Sequence, residues 1–281
     1  MGIVITCLAA ITLWPSAPPA APSPELADVH GVPAALRERL QLDPFYQRYV
    51  DDHGLSILAS RKCSPYALVE ARDIIDHLLA HRPEIRAALI DRHVRAMVMA
   101  RAEGTTDVPE QRDMRPKAYW NRRARGLGGS LVSCGEENLL RYPGDPYREE
   151  NILIHEFSHA IQDLAMSELD PTFGDRVQAA YDASVRSGAW DHSYAATNVH
   201  EYFAEGAQAW FDAGRPGPDS DANNGIATRE AIKRADPKLA ALLAEVFGDE
   251  PWRYVPPDRR SDPGDLAGLD RQTLPTFNWP D

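Results

Sequence analysis

Cysteine is scarce in this chain, with only Cys7, Cys63 and Cys134 among 281 residues. So few exclude a small disulfide-stapled fold and any cysteine-rich zinc module. Neither Cys63 nor Cys134 has a histidine beside it in the sequence, which argues against a nucleophilic thiol. Basic charge is short as well: 30 Lys and Arg face 42 Asp and Glu, for a formal charge of −12. That balance argues against a nucleic-acid partner, whose phosphates require a basic surface. Long apolar runs are missing too. The stretch from Ile3 to Trp14 is of signal-peptide length and too short to cross a bilayer, so no stable membrane span is expected. Pro- and Ala-rich sequence follows it to Pro24, although no Lys or Arg precedes the run and no clean cleavage site stands out. Residues 1–24 are expected to form an export segment, giving a secreted or periplasmic protein; a buried N-terminal helix is the other reading. With that segment removed, Cys63 and Cys134 are an even pair that an oxidising compartment could join, or two free thiols.

What is present is a chain 43% apolar and large enough to bury a substantial core. Residues 155–159 read His-Glu-Phe-Ser-His inside a helical run from Asn151 to Ala165. On a helix, side chains four apart lie on one face, so His155 and His159 can grip one ion while Glu156 points toward its open side. A catalytic zinc usually takes three protein ligands and keeps a fourth position open, so a third donor is required. The segment Tyr194–Phe211 is also helical in pattern, with Asn198 suited to the N-cap and Glu201 in the first turn. Glu201 is either the third ligand or the reciprocal half of a capping box with Asn198. Glu205, one turn on, is placed to accept the second ring N–H of a ligating histidine.

Tyr194, Thr197, Asn198, Glu201, Phe203, Ala204 and Glu205 follow the His155-Glu156-Phe157-x-His159-Ala160 block by about forty residues. Together these resemble the catalytic domain of the anthrax lethal factor peptidase family and the peptidases around Mlc titration factor, both gluzincins. The resemblance covers about residues 150–212 and not the first half of the chain. It implies an α+β, zincin-like fold with a small mixed sheet beside the active-site helix and a mainly helical C-terminal part. It further implies one Zn²⁺ per chain on His155, His159 and Glu201, Glu156 as general base, and Tyr194 assisting the oxyanion. Without the resemblance, Tyr194 reads as an aromatic packing ahead of a helix.

A zinc metallopeptidase acting on peptide or protein substrates is therefore expected, with an inactive zincin-fold binding protein or a hydrolase of non-peptide bonds as alternatives. Glu156, which serves hydrolysis without ligating metal, favours the enzyme. Residues 25–281 are expected to form one domain, with an α/β lobe to about 165 and a helical lobe beyond. No internal repeat is visible.

Elsewhere, Ser64 and Pro65 open a helix whose stripe runs through Ala67, Leu68, Ala71, Ile74, Ile75, Leu78 and Leu79. His77 and His81 on it are four apart but lack an intervening Glu, and a second metal site there is rejected. Pro33 to Tyr49 has helical spacing, 84–90 reads as a short helix, 94–100 as a strand, 171–185 as a helix and 228–247 as one amphipathic helix. Asp145-Pro146 is expected to start the helix carrying His155. Residues 130–134, after the flexible-looking Gly126-Leu-Gly-Gly129, form a second strand, offered as the sheet edge that pairs with extended substrate. The basic run from Arg112 to Arg125 either steers an acidic substrate or is a solvated, self-paired face.

Overall fold

The structure is a computed structural model that describes residues 24–217 and 222–280. The expected export segment lies outside the described residues up to position 23, and Cys7 with it. Among the described residues no helix is long and apolar enough to cross a membrane.

The architecture is α+β. Five strands, β1 (Arg48–Asp52), β2 (Leu55–Ala59), β3 (Arg95–Met99), β4 (Gly126–Leu127) and β5 (Leu131–Gly135), form one sheet in the order β1-β2-β3-β5-β4. β2, β3 and β5 run parallel, while β1 and β4 are antiparallel edges. The helices are α1 (Ala34–Arg39), α2 (Pro65–Leu79), α3 (Pro83–Asp91), α4 (Lys117–Arg123), α5 (Glu136–Leu140), α6 (Ile152–Ala160), α7 (Ser167–Leu169), α8 (Phe173–Ser187), α9 (Val199–Trp210), α10 (Arg229–Ala235) and α11 (Pro237–Phe247). A π-helical turn, Ile161–Met166, joins α6 to α7. One buried cluster runs from Val50 of the sheet through Ile74, Val98 and Val132 to Phe157, Phe203 and Leu243 of the helices. Apolar burial thus ties α6 and α9 to the sheet and to each other.

The structure corrects several expectations. The strand at 130–134 is not an edge: β5 lies between β3 and β4, and the edge is the two-residue β4 within the glycine segment. Those glycines are there for close approach. A Cβ on Gly126 would lie 2.4 Å from Ile152 Cγ2 and 2.9 Å from Glu156 Cγ, and one on Gly128 would lie 2.8 Å from His159 Cβ. Only bare backbone lets β4 sit directly on α6.

The helical spacing from Pro33 to Tyr49 yields only α1, because Gln41 takes φ 50° and the Asp43 carboxylate accepts the Phe45 N–H in a turn. The chain then enters β1. Asp145-Pro146 does not start α6; Asn151 caps it, its side-chain oxygen accepting from Ile154 N at 2.9 Å, while Asp145 accepts from Tyr147 N and Asn138. The single helix expected over 228–247 is two, broken where Pro237 forces Asp236 out of helical geometry and Asp236 caps α11 through Leu239 N. Ser64 precedes α2 without a side-chain cap; its backbone N–H instead donates to Glu136 at 2.6 Å. Cys63 and Cys134 are both buried and both free, so the disulfide alternative is not realised.

Candidate active site

α6 brings His155 and His159 to one face, and α9 packs across it. The Asn198 side chain alone caps α9, accepting from His200 N at 2.9 Å and Glu201 N at 3.0 Å. The Glu201 carboxylate is turned to the imidazoles, with Oε2 2.9 Å from His155 Nε2 and 3.5 Å from His159 Nε2. One candidate ligand atom from each of the three residues lies within 4.8 Å of the others. Two imidazoles and one carboxylate are a donor set of the kind a zinc ion takes, and the residues fit it in number and type.

Beside His155 stands a residue that the sequence reading missed. Gln208 donates its amide N–H to the Asn151 carbonyl at 2.9 Å, which leaves its Oε1 facing His155 Nδ1 at 3.2 Å. That orientation calls for a proton on Nδ1 and leaves the Nε2 lone pair for a ligand. The signal was present: Gln208 follows Glu201 by seven residues, two helical turns on the same face. Glu205, expected in this role, has Oε1 3.5 Å from the same nitrogen, and its buried Oε2 has no hydrogen-bond partner among the described residues. Burial pushes the Glu205 carboxyl up to about 8, against the lowering effect of His155.

The other ionisations follow from the same crowding. Burial pushes His155 down, but the Glu201 hydrogen bond and the charges of Glu156, Glu205 and Glu201 outweigh it and hold the imidazole at about 10. Glu201 is raised by burial yet held well below the usual carboxylate range by its bonds to His155 and His159. Glu156 is raised by burial, opposed by the two histidines, and accepts a hydrogen bond from the Gly128 backbone.

Tyr194 lies on a short 3₁₀ turn ahead of α9 and donates its phenol to Glu201 Oε1 at 3.0 Å. Burial and the Glu201 charge push it up to about 12, so it stays a proton donor at neutral pH. His155, Glu156, Tyr194 and Glu205 line a cleft of about 340 Å³ whose walls also include Arg123, Gly126, Tyr147 and Ser193.

The basic run divides. Arg112 pairs with Asp43 at 2.9 Å, Arg125 is buried on Glu137, and Arg123 reaches the cleft.

No protein-family model matches the sequence, and no curated protein matches it. Among solved structures, the Pro-Pro endopeptidase PPEP-2 from Paenibacillus alvei is similar at 17% identity, over 69% of this chain and 97% of that chain, with a TM-score of 0.44.

Proposed function

We propose that the chain is a zinc-dependent peptidase in which His155, His159 and Glu201 hold the metal and Glu156 is the general base. The observation that carries this reading is the convergence of three metal-type donors from two helices beside Glu156, where His155 and Glu156 line a cleft. When bound, zinc supplies Lewis acidity, making water acidic near neutral pH and polarising a carbonyl. Glu156 takes the proton of the attacking water and returns it to the leaving amine, and its elevated affinity for protons suits both transfers. Tyr194 leaves Glu201 to donate its hydrogen bond to the oxyanion of the scissile carbonyl; its half-exposed ring leaves it room to move. The outer edge of β4 offers backbone groups to an extended peptide, which orients the chain across the cleft without reading side chains. Gln208 keeps the His155 ring in the required tautomer.

The test is a peptide-library digest by zinc-loaded wild type and Glu156→Gln, with zinc content measured on both. Cleavage by wild type and a loss of about 10²–10⁴ in the variant at equal zinc content are expected. Equal digestion by both removes Glu156 from the mechanism. No digestion by either, with zinc bound, turns the site into a metal-holding binding module.

A further inference from the structure

Arg123 and Arg125, two residues apart, have opposite surroundings. Arg125 is fully buried, with Nε 2.5 Å and Nη2 2.9 Å from the two oxygens of Glu137. Arg123, at the end of α4, lines the cleft, and among the described residues no carboxylate pairs with it, in a chain with twelve more acidic than basic residues. Its neighbours are phenols. Its strongest electrostatic partner is Tyr194, followed by Tyr147 and Tyr119. Its backbone is tied down separately, since the Tyr147 phenol donates to the Arg123 carbonyl at 3.0 Å. Arg215, the other arginine of this wall besides Arg125, already pairs with Glu150 at 2.7 Å. Arg123 is thus an exposed cation on the cleft wall, its backbone tied to Tyr147 and its guanidinium without a carboxylate partner among the described residues.

A guanidinium in such a position is a fork for a carboxylate. Of the carboxyl groups that line the cleft, Glu150 already pairs with Arg215, and Glu156 and Glu205 offer a substrate carboxylate no opposite charge, so Arg123 is the group of this wall that attracts one. We propose that Arg123 is a specificity-determining residue that receives a substrate carboxylate beside the reacting bond, making acidic peptides the preferred class. The carboxylate is an Asp or Glu side chain or a free C-terminus. For cleavage this rests on the peptidase reading; for binding it needs only that the cleft takes peptides.

The experiment uses matched peptides, Asp or Glu against Asn or Gln at each position, each with a free and an amidated C-terminus, on wild type, Arg123→Gln and Arg123→Lys. Two quantities are read: the acid-to-amide ratio of kcat/KM with zinc, and the same ratio of Kd by titration into metal-free protein. In wild type a ratio of about tenfold or more is expected in both, falling to about one in Arg123→Gln and partly restored in Arg123→Lys. Ratios do not depend on the fraction of folded protein, so misfolding cannot imitate the result. Dependence on the side-chain set or on the C-terminal set identifies the source of the carboxylate. A wild-type Kd ratio near one, or a ratio unchanged in Arg123→Gln, overturns the proposal. So does an equal fall in kcat on acid and amide peptides, which would make Arg123 a positioning residue for Tyr194. Selective binding without cleavage defeats the peptidase reading and leaves Arg123 as proposed.

Discussion

Among the described residues, two clusters each bring three metal-type donors within 4.8 Å: His155, His159 and Glu201 between α6 and α9, and Asp52, His53 and Asp76 between the β1–β2 hairpin and α2. They differ in what already neutralises them. In the second, Arg86 bridges the carboxylates, with Nη1 2.5 Å from Asp52 Oδ2 and Nη2 2.8 Å from Asp76 Oδ1, and His53 and Asp76 are exposed. In the first, no lysine or arginine pairs with Glu156, Glu201 or Glu205 among the described residues, and the donors are largely shielded from solvent. Proximity of donors alone does not distinguish a centre from a surface ion pair. The lack of a lysine or arginine partner among the described residues, together with an outer hydrogen bond that fixes a ring nitrogen, sets the first cluster apart.

The sharpest way to break this contrast is to remove one carboxylate from each cluster. Glu201→Ala should reduce zinc affinity beyond the ten- to hundredfold that loss of an outer partner costs, and Asp76→Asn should leave zinc content at about one per chain, both by elemental analysis. Comparable losses in the two variants would erase the distinction. Tyr194→Phe should lower turnover on the order of a hundredfold at unchanged zinc content; an unchanged rate would return Tyr194 to ordinary packing. Gln208→Leu removes the acceptor on His155 Nδ1 and should weaken zinc binding about ten- to hundredfold, seen by competition with a chelator.

With His155 held at about 10, the metal-free ring is protonated at neutral pH, so zinc must displace that proton. Apparent affinity should therefore rise about tenfold per pH unit from neutrality toward 10, with about one proton released per zinc in calorimetry at pH 7. A pH-independent affinity over that window would mean that His155 is neutral or not a ligand.

The site was more legible in the sequence than the sheet around it. Spacing alone put His155 and His159 on one face, because four residues make about one turn whatever surrounds the helix. Glu201 was visible as a candidate, but Asn198 fitted both readings, and only the direction of the carboxylate separates them. β1 and β2 were hidden because β2 is buried at every position and shows no alternation, while β1 mixes buried and exposed residues irregularly. Which strand is the edge depends on β4, two residues that read as a glycine linker until their contact with Ile152 and Glu156 is known. Nor could composition foretell that Arg125 is buried while Arg123 faces the cleft, since partner choice is a tertiary property.

The order of the chain carries one more consequence. The third donor follows the second by about forty residues, and α6 meets α9 only after α7 and α8 have been laid between them. A denatured chain offers two histidines on a floppy segment and nothing at chelating distance to complete the set. Occupancy and assembly of the C-terminal half then become linked by mass action. An ion present at a hundred times its dissociation constant adds about 2.7 kcal/mol to the native state, and a sequestering agent withdraws it. On the zinc reading proposed above, EDTA would behave as a gentle denaturant as well as an inhibitor.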